Sequence, residues 1–119
     1  MKRKTIRNHA DFLTTYDAPC FSESSFVVKL KPAKIPGDPR YGLIVPKKTF
    51  KLATERNRAK RIIRDWIAYN ENLMMEYYDY IFVLRRPILR TPRNIGRKQM
   101  QTQFRTLARF YYVYVPKKS

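Results

Sequence analysis

Between Lys47 and Arg64 the chain carries eight cations, Lys47, Lys48, Lys51, Arg56, Arg58, Lys60, Arg61 and Arg64, against one acid, Glu55. The same stretch keeps an apolar period. Placed on a helix from Thr54 onward at about 100° per residue, Arg56, Asn57, Lys60, Arg61 and Arg64 share an arc of roughly 140°. Ala59, Ile62, Ile63, Trp66 and Ile67 fill an apolar arc that meets the polar one beside Arg56. One face must therefore be buried against another layer, and the other left as a positive stripe. Solvated helix faces usually mix signs, because opposite charges four residues apart support each other. Here the acid near the far end is Asp65, about 100° past Arg64. A one-sign stripe beside Asn57 suits phosphate and base-edge contact better than solvation. Glu55 falls in the first turn, where an acid suits the helix dipole.

The whole chain repeats this imbalance. Its 119 residues hold 26 Lys and Arg against nine acids, a formal net charge of +17. That much like charge opposes compaction, and a polyanion relieves it through counterion release. An anionic membrane is the competing partner, yet no apolar run approaches the roughly 18 residues needed to span a bilayer. Hydrophobic residues make up 44%, too many for a disordered basic tail. The expectation is a single RNA-binding domain over residues 1–119, with a basic arm at 1–7 and a basic tail at 117–119. Cys20 is the sole cysteine, which rules out an intrachain disulfide and fits a reducing, cytoplasmic location. The opening MKRKTIRNHA lacks the apolar stretch of a signal peptide.

Periodicity predicts a short helix over Asp11–Tyr16, with Asn8 as its N-cap. SSFVVKLKP (24–32) and YGLIVP (41–46) read as strands, separated by the turn residues of IPGDPR. A helix is expected over 55–74 and a strand over 79–87. Arg90 to Gly96 reads as a Pro-containing basic loop, and Lys98 to Tyr111 as a second amphipathic helix burying Met100, Phe104, Leu107 and Ala108. The following YYVYV either extends that helix or pairs as a strand. The order α-β-β-(β)-α-β-α, with one β position open, makes a single-domain α+β sandwich with helices packed on one sheet.

A second basic cluster, Arg85, Arg86, Arg90, Arg93, Arg97 and Lys98, contains no acid and could flank the same ligand. Arg86, Arg90 and Arg93 are its candidate RNA contacts. Phe12 and Tyr16 lie one helical turn apart, either in the core or free to stack on unpaired bases. In FVVKLK, alternation puts Val27, Lys29 and Lys31 on one strand face, which two lysines mark as wet, and Phe26, Val28 and Leu30 on the other. Catalytic groups are missing. His9 is the lone histidine, no Cys/His set could hold zinc, and no two carboxylates share an element at a useful spacing. With three glycines, there is no phosphate-cradling loop. Composition alone leaves open a ribosomal or RNA-chaperone-like protein, and a DNA-binding module with its basic helix in a major groove.

RYGLIVPKKTFKLATERNRAKRIIRDW, residues 40–66, resembles the signature of the bacterial ribonuclease P protein family. That signature is a strand with Gly and Val, a Lys-Lys pair, a spacer, then Arg-Asn-Arg, Lys-Arg and another Arg. Here these are Gly42, Val45, Lys47, Lys48, Arg56, Asn57, Arg58, Lys60, Arg61 and Arg64. The flanking elements follow in family order from about residue 7 to 113. The resemblance implies a left-handed βαβ crossover and a protein that joins a catalytic RNA to remove the 5′ leader of precursor tRNA. Mg2+ would be held by the RNA. Lys47, Lys48, Lys51, Arg58, Lys60, Arg61 and Arg64 would bind the catalytic RNA. Phe12, Tyr16, Lys29, Arg56 and Asn57 would bind the leader, in a cleft between the first helix and the sheet. Three positions depart from the pattern: Pro46 replaces a small residue, Ala59 a larger aliphatic, and Lys29 a cleft aromatic found in some members.

Overall fold

The computed structural model describes residues 4–5, 20–33 and 37–114. Five strands form one sheet: β1 (Lys4–Thr5), β2 (Cys20–Ser22), β3 (Phe26–Pro32), β4 (Arg40–Ile44) and β5 (Tyr78–Leu84). Among the described residues two helices cover it, α1 (Ala53–Tyr69) and α2 (Arg93–Tyr114), with 3-10 turns at Glu71–Leu73 and Arg86–Arg90. The strand order is β1-β4-β5-β3-β2. β4 runs parallel to β1 and β5, whereas β3 runs antiparallel to β5 and β2. The expected α+β sandwich is present, and β4, α1 and β5 form its βαβ unit. The short helix expected over Asp11–Tyr16, with Asn8, lies outside the described residues.

β5 is central because YDYIFVL is buried at nearly every position, the pattern of a strand covered on both faces. On one face Phe26, Val28 and Leu30 of β3 and Tyr80, Phe82 and Leu84 of β5 meet the helices. Ala59, Ile63, Trp66 and Ile67 come from α1, and Met100, Phe104 and Leu107 from α2. Phe82 packs edge-on to Phe26 at 5.9 Å and tilts against Phe104 at 6.1 Å, tying sheet to helix.

The other sheet face corrects an expectation. The alternation of FVVKLK holds, but the face is not simply wet. Ile81 and Asp79 are fully buried there and Lys31 is 7% exposed, while Lys29 is half-buried. The register explains it, because Arg40, Asp79 and Lys31 lie in one cross-strand row. Arg40 donates two hydrogen bonds to Asp79, from Nε at 2.9 Å and from Nη2 at 2.6 Å, so charge on this row is paired rather than hydrated.

Helix boundaries also moved. α1 stops at Tyr69, where the Asn70 amide donates to the carbonyls of Trp66 and Arg97, both at 3.0 Å. The expected basic loop at 90–96 is instead a 3-10 turn followed by the start of α2. The Pro92 carbonyl accepts the first helical bond, from Gly96 N–H at 2.9 Å, and a proline before the first turn loses no needed donor. YYVYV resolves as helix through Tyr114.

Candidate nucleic-acid interface

α1 divides as its period requires. Ala59, Ile63, Trp66 and Ile67 are buried, whereas Asn57, Arg58, Arg61 and Arg64 are exposed and Arg56 and Lys60 half-buried. Before it, Pro46 heads a turn whose carbonyl accepts from Thr49 at 3.1 Å and Phe50 at 3.0 Å. Buried Phe50 anchors the turn, and Lys47, Lys48 and Lys51 stand exposed around it. Pro46 thus departs from the family pattern without spoiling the loop, since its carbonyl is what the turn uses. Arg56 Nη1 donates to the carbonyls of Phe50 at 2.8 Å and Lys51 at 3.2 Å, joining this loop to the first turns of α1. The Glu55 carboxylate reaches back to Leu52 N–H at 3.5 Å.

The second basic cluster docks along one flank of α1 and uses both of its acids. Arg86 forms a two-pronged pair with Glu55, at 2.8 and 3.2 Å, and donates to the Thr49 carbonyl at 3.1 Å. Arg97 pairs with Asp65 in the same way, at 2.9 and 3.1 Å, with Arg93 Nε 3.8 Å from that carboxylate. Arg58 Nη2 donates to the Leu89 carbonyl at 3.3 Å. The hydrogen bond from Arg86 holds the Glu55 carboxyl below its ordinary range, and that from Arg97 does the same for Asp65. Both acids therefore stay ionised and neutralise arginines on the flank, while the stripe itself keeps its single sign.

Two shallow clefts open beside this seam. Lys48, Thr49, Lys51, Leu52, Glu55 and Arg86 line one, of about 460 Å³. Arg61, Ile62, Asp65, Trp66, Thr91 and Arg93 line the other, of about 360 Å³. The sequence-predicted residues thus separate. Lys47, Lys48, Lys51, Arg58, Lys60, Arg61 and Arg64 gather on α1 and its preceding turn, with Arg86 and Arg93 against them. Arg90 is exposed at the end of its 3-10 turn. Arg56 and Asn57 sit at the start of α1, while Lys29 lies on the sheet face turned away from α1. Phe12 and Tyr16 are outside the described residues. Sequence reasoning missed the Arg40–Asp79 pair and the stacking of Arg97 on exposed Tyr69, 4.4 Å from the ring centroid. For Asp65 a signal existed: a lone acid among arginines is their natural partner.

Among the described residues no three His, Cys, Asp or Glu are placed to hold a metal ion. No described helix is long and apolar enough to cross a membrane.

The model of the Ribonuclease P family matches residues 1–109. The RNase P protein of Staphylococcus aureus is 26% identical, with a TM-score of 0.71 over 90% of this chain and 96% of its own. The RNase P protein of Thermotoga maritima is 22% identical, with a TM-score of 0.74 over 87% of this chain and 97% of its own, and shares the fold. With the family match spanning nearly all of the sequence and these structures covering both chains almost fully, the chain belongs to the bacterial ribonuclease P protein family.

Proposed function

We propose that this chain binds the catalytic RNA of ribonuclease P along α1 and its preceding turn, and the 5′ leader of precursor tRNA nearby, in the cytoplasm. Family membership supplies the coarse statement: it is a ribonuclease P protein subunit acting in tRNA processing. The observation that carries the finer one is the stripe of Lys60, Arg61 and Arg64, left one-signed because arginines of the second cluster occupy Glu55 and Asp65. Cations held apart on a rigid helix meet a phosphate backbone with little reorganisation.

Catalysis belongs to the RNA in this reading. Hydrolysis of a phosphodiester is served by magnesium as Lewis acid and water activator. Among the described residues no three His, Cys, Asp or Glu are placed to hold that ion, and Glu55, Asp65 and Asp79 each pair with an arginine. The chain's own part is to bind, orient and neutralise. Arg56 and Asn57, at the start of α1, and Lys29 would engage the leader together with Phe12 and Tyr16. Arg86, Arg90 and Arg93 would extend the RNA contact.

The test is reconstitution with a transcribed bacterial ribonuclease P RNA, magnesium and a precursor tRNA. The mixture should cleave at the mature 5′ end faster than the RNA alone does, and the protein alone should not cleave. Cleavage by RNA-free protein, or no stimulation of the RNA, would overturn the proposal.

A further inference from the structure

We infer that Tyr69, with Arg97 stacked beneath it, is a platform for one unpaired nucleobase of the ribonuclease P RNA. The inference rests on the proposed RNA reading of α1 and adds a contact of a different kind. Tyr69 is 59% exposed although it ends the helix that carries the positive stripe. The Arg97 guanidinium lies 4.4 Å from the ring centroid and covers one side. So large a remaining exposure leaves the opposite face open. Arg97 is itself locked, because Asp65 takes two of its donors at 2.9 and 3.1 Å. Cation–π attraction to this anchored guanidinium holds the ring in place before any ligand arrives.

The placement selects the ligand. On the helical wheel Arg58, Asp65 and Tyr69 fall within roughly 40° of one another, on the flank between the stripe and α2. Arg61 and Arg93 border the adjoining cleft, and the Arg93 side chain is 73% exposed. A flat aromatic group carrying phosphates on both sides satisfies this set, because the ring takes the base and the two arginines take the backbone. A lone exposed aromatic fits a protein partner less well, since among the residues of described burial the exposed large hydrophobics are just Leu52, Tyr69, Tyr77 and Ile95. The flank adjoins the stripe, and α1 packs on the sheet face that does not carry Lys29. The nucleotide is therefore assigned to the catalytic RNA and not to the leader.

The experiment titrates the full-length chain and its variants with transcribed bacterial ribonuclease P RNA across salt. Tyr69→Leu should bind about tenfold more weakly with an unchanged salt slope, because stacking releases no counterions. Tyr69→Phe should bind as the wild type does. Circular dichroism confirms that each variant is folded, as expected for an exposed position. Normal binding by Tyr69→Leu, with weak binding by the Arg61→Ala/Arg64→Ala variant, would overturn the platform and leave the RNA reading intact. Normal binding by both would overturn the two together. Equal losses for Tyr69→Leu and Tyr69→Phe would assign the effect to the hydroxyl and sink the stacking. A loss confined to precursor tRNA binding by the holoenzyme would make the leader the occupant and overturn the assignment.

Discussion

Gly96 and the indole of Trp66 approach so closely that a Cβ at Gly96 would lie 1.9 Å from Trp66 Cζ2. Trp66 is 1% exposed and wedged against Phe26, 6.3 Å away between centroids, so its ring has nowhere to retreat. Gly96→Ala should therefore destabilise the fold by about 3 kcal/mol, despite alanine's better helix propensity. The helices must part for the methyl, which also pulls Arg97 from Asp65. Urea denaturation checks the first effect, and weaker RNA binding checks the second.

Replacing Arg61 and Arg64 together with alanine should weaken RNA binding mainly through electrostatics. Each lost phosphate contact should flatten the plot of log affinity against log salt by about one unit, about two for the pair. Filter binding over a salt series measures the slope. Unchanged slope and affinity would move the RNA face away from this stripe.

Lys29 tests the leader. It is half-buried at the centre of β3, in the row containing Gly42 and Ile81. Lys29→Ala should weaken binding of a precursor tRNA with a leader of several nucleotides, by a factor that shrinks as salt rises. A precursor with a single-nucleotide leader should be unaffected. Lys29→Tyr should keep leader affinity and lose salt sensitivity, since a stacking face replaces a point charge. Equal losses with both leaders would assign Lys29 to the fold or to the catalytic RNA.

Acid should undo the Asp65 pairing in a defined window. Its carboxyl is held below the ordinary value of 3.8 by the hydrogen bond from Arg97. A group easier to ionise folded than unfolded stabilises fully above its unfolded value, and the gain disappears as pH falls through its lowered folded value. The stability difference between wild type and Asp65→Asn should be constant above about pH 5 and shrink steadily below about pH 4. The pair is about one-third exposed, so the difference at neutral pH should be about 1 kcal/mol or less. Denaturant titrations at several pH values would show it.

What the sequence disclosed was local. Ala59, Ile63, Trp66 and Ile67 repeat on a helical period, so α1 and its two faces could be drawn from one segment. What it hid was decided elsewhere in the chain. Pro92 and Gly96 both read as breakers, yet one tolerates a helix start and the other exists to pass Trp66, thirty positions earlier. Lys31 looked wet because its row-mates, Arg40 and Asp79, belong to other strands. The second cluster looked like a loop of free cations because Asp65 and Arg97 are 32 positions apart. The recognisable spacing of Lys47, Lys48, Arg56, Asn57 and Arg58 carried the family, while the pairings that shape the surface became visible in three dimensions.

The position of β5 between β3 and β4 has a consequence for synthesis on the ribosome. β3 and β4 leave the exit tunnel well before Tyr78, and each draws its long hydrogen-bonded ladder from a strand not yet made. α1 also precedes Phe82 and Phe104, against which its core closes. Until those residues emerge, the nascent chain holds two open strand edges and an uncovered apolar helix face, amid ribosomal RNA that its cations attract. Folding must then be a late event, completed only once Phe82 and Phe104 have emerged. A truncation anywhere before Tyr78 would remove the middle of the sheet and leave only the β1–β4 and β2–β3 pairings, two and three residues long and too short to stand alone.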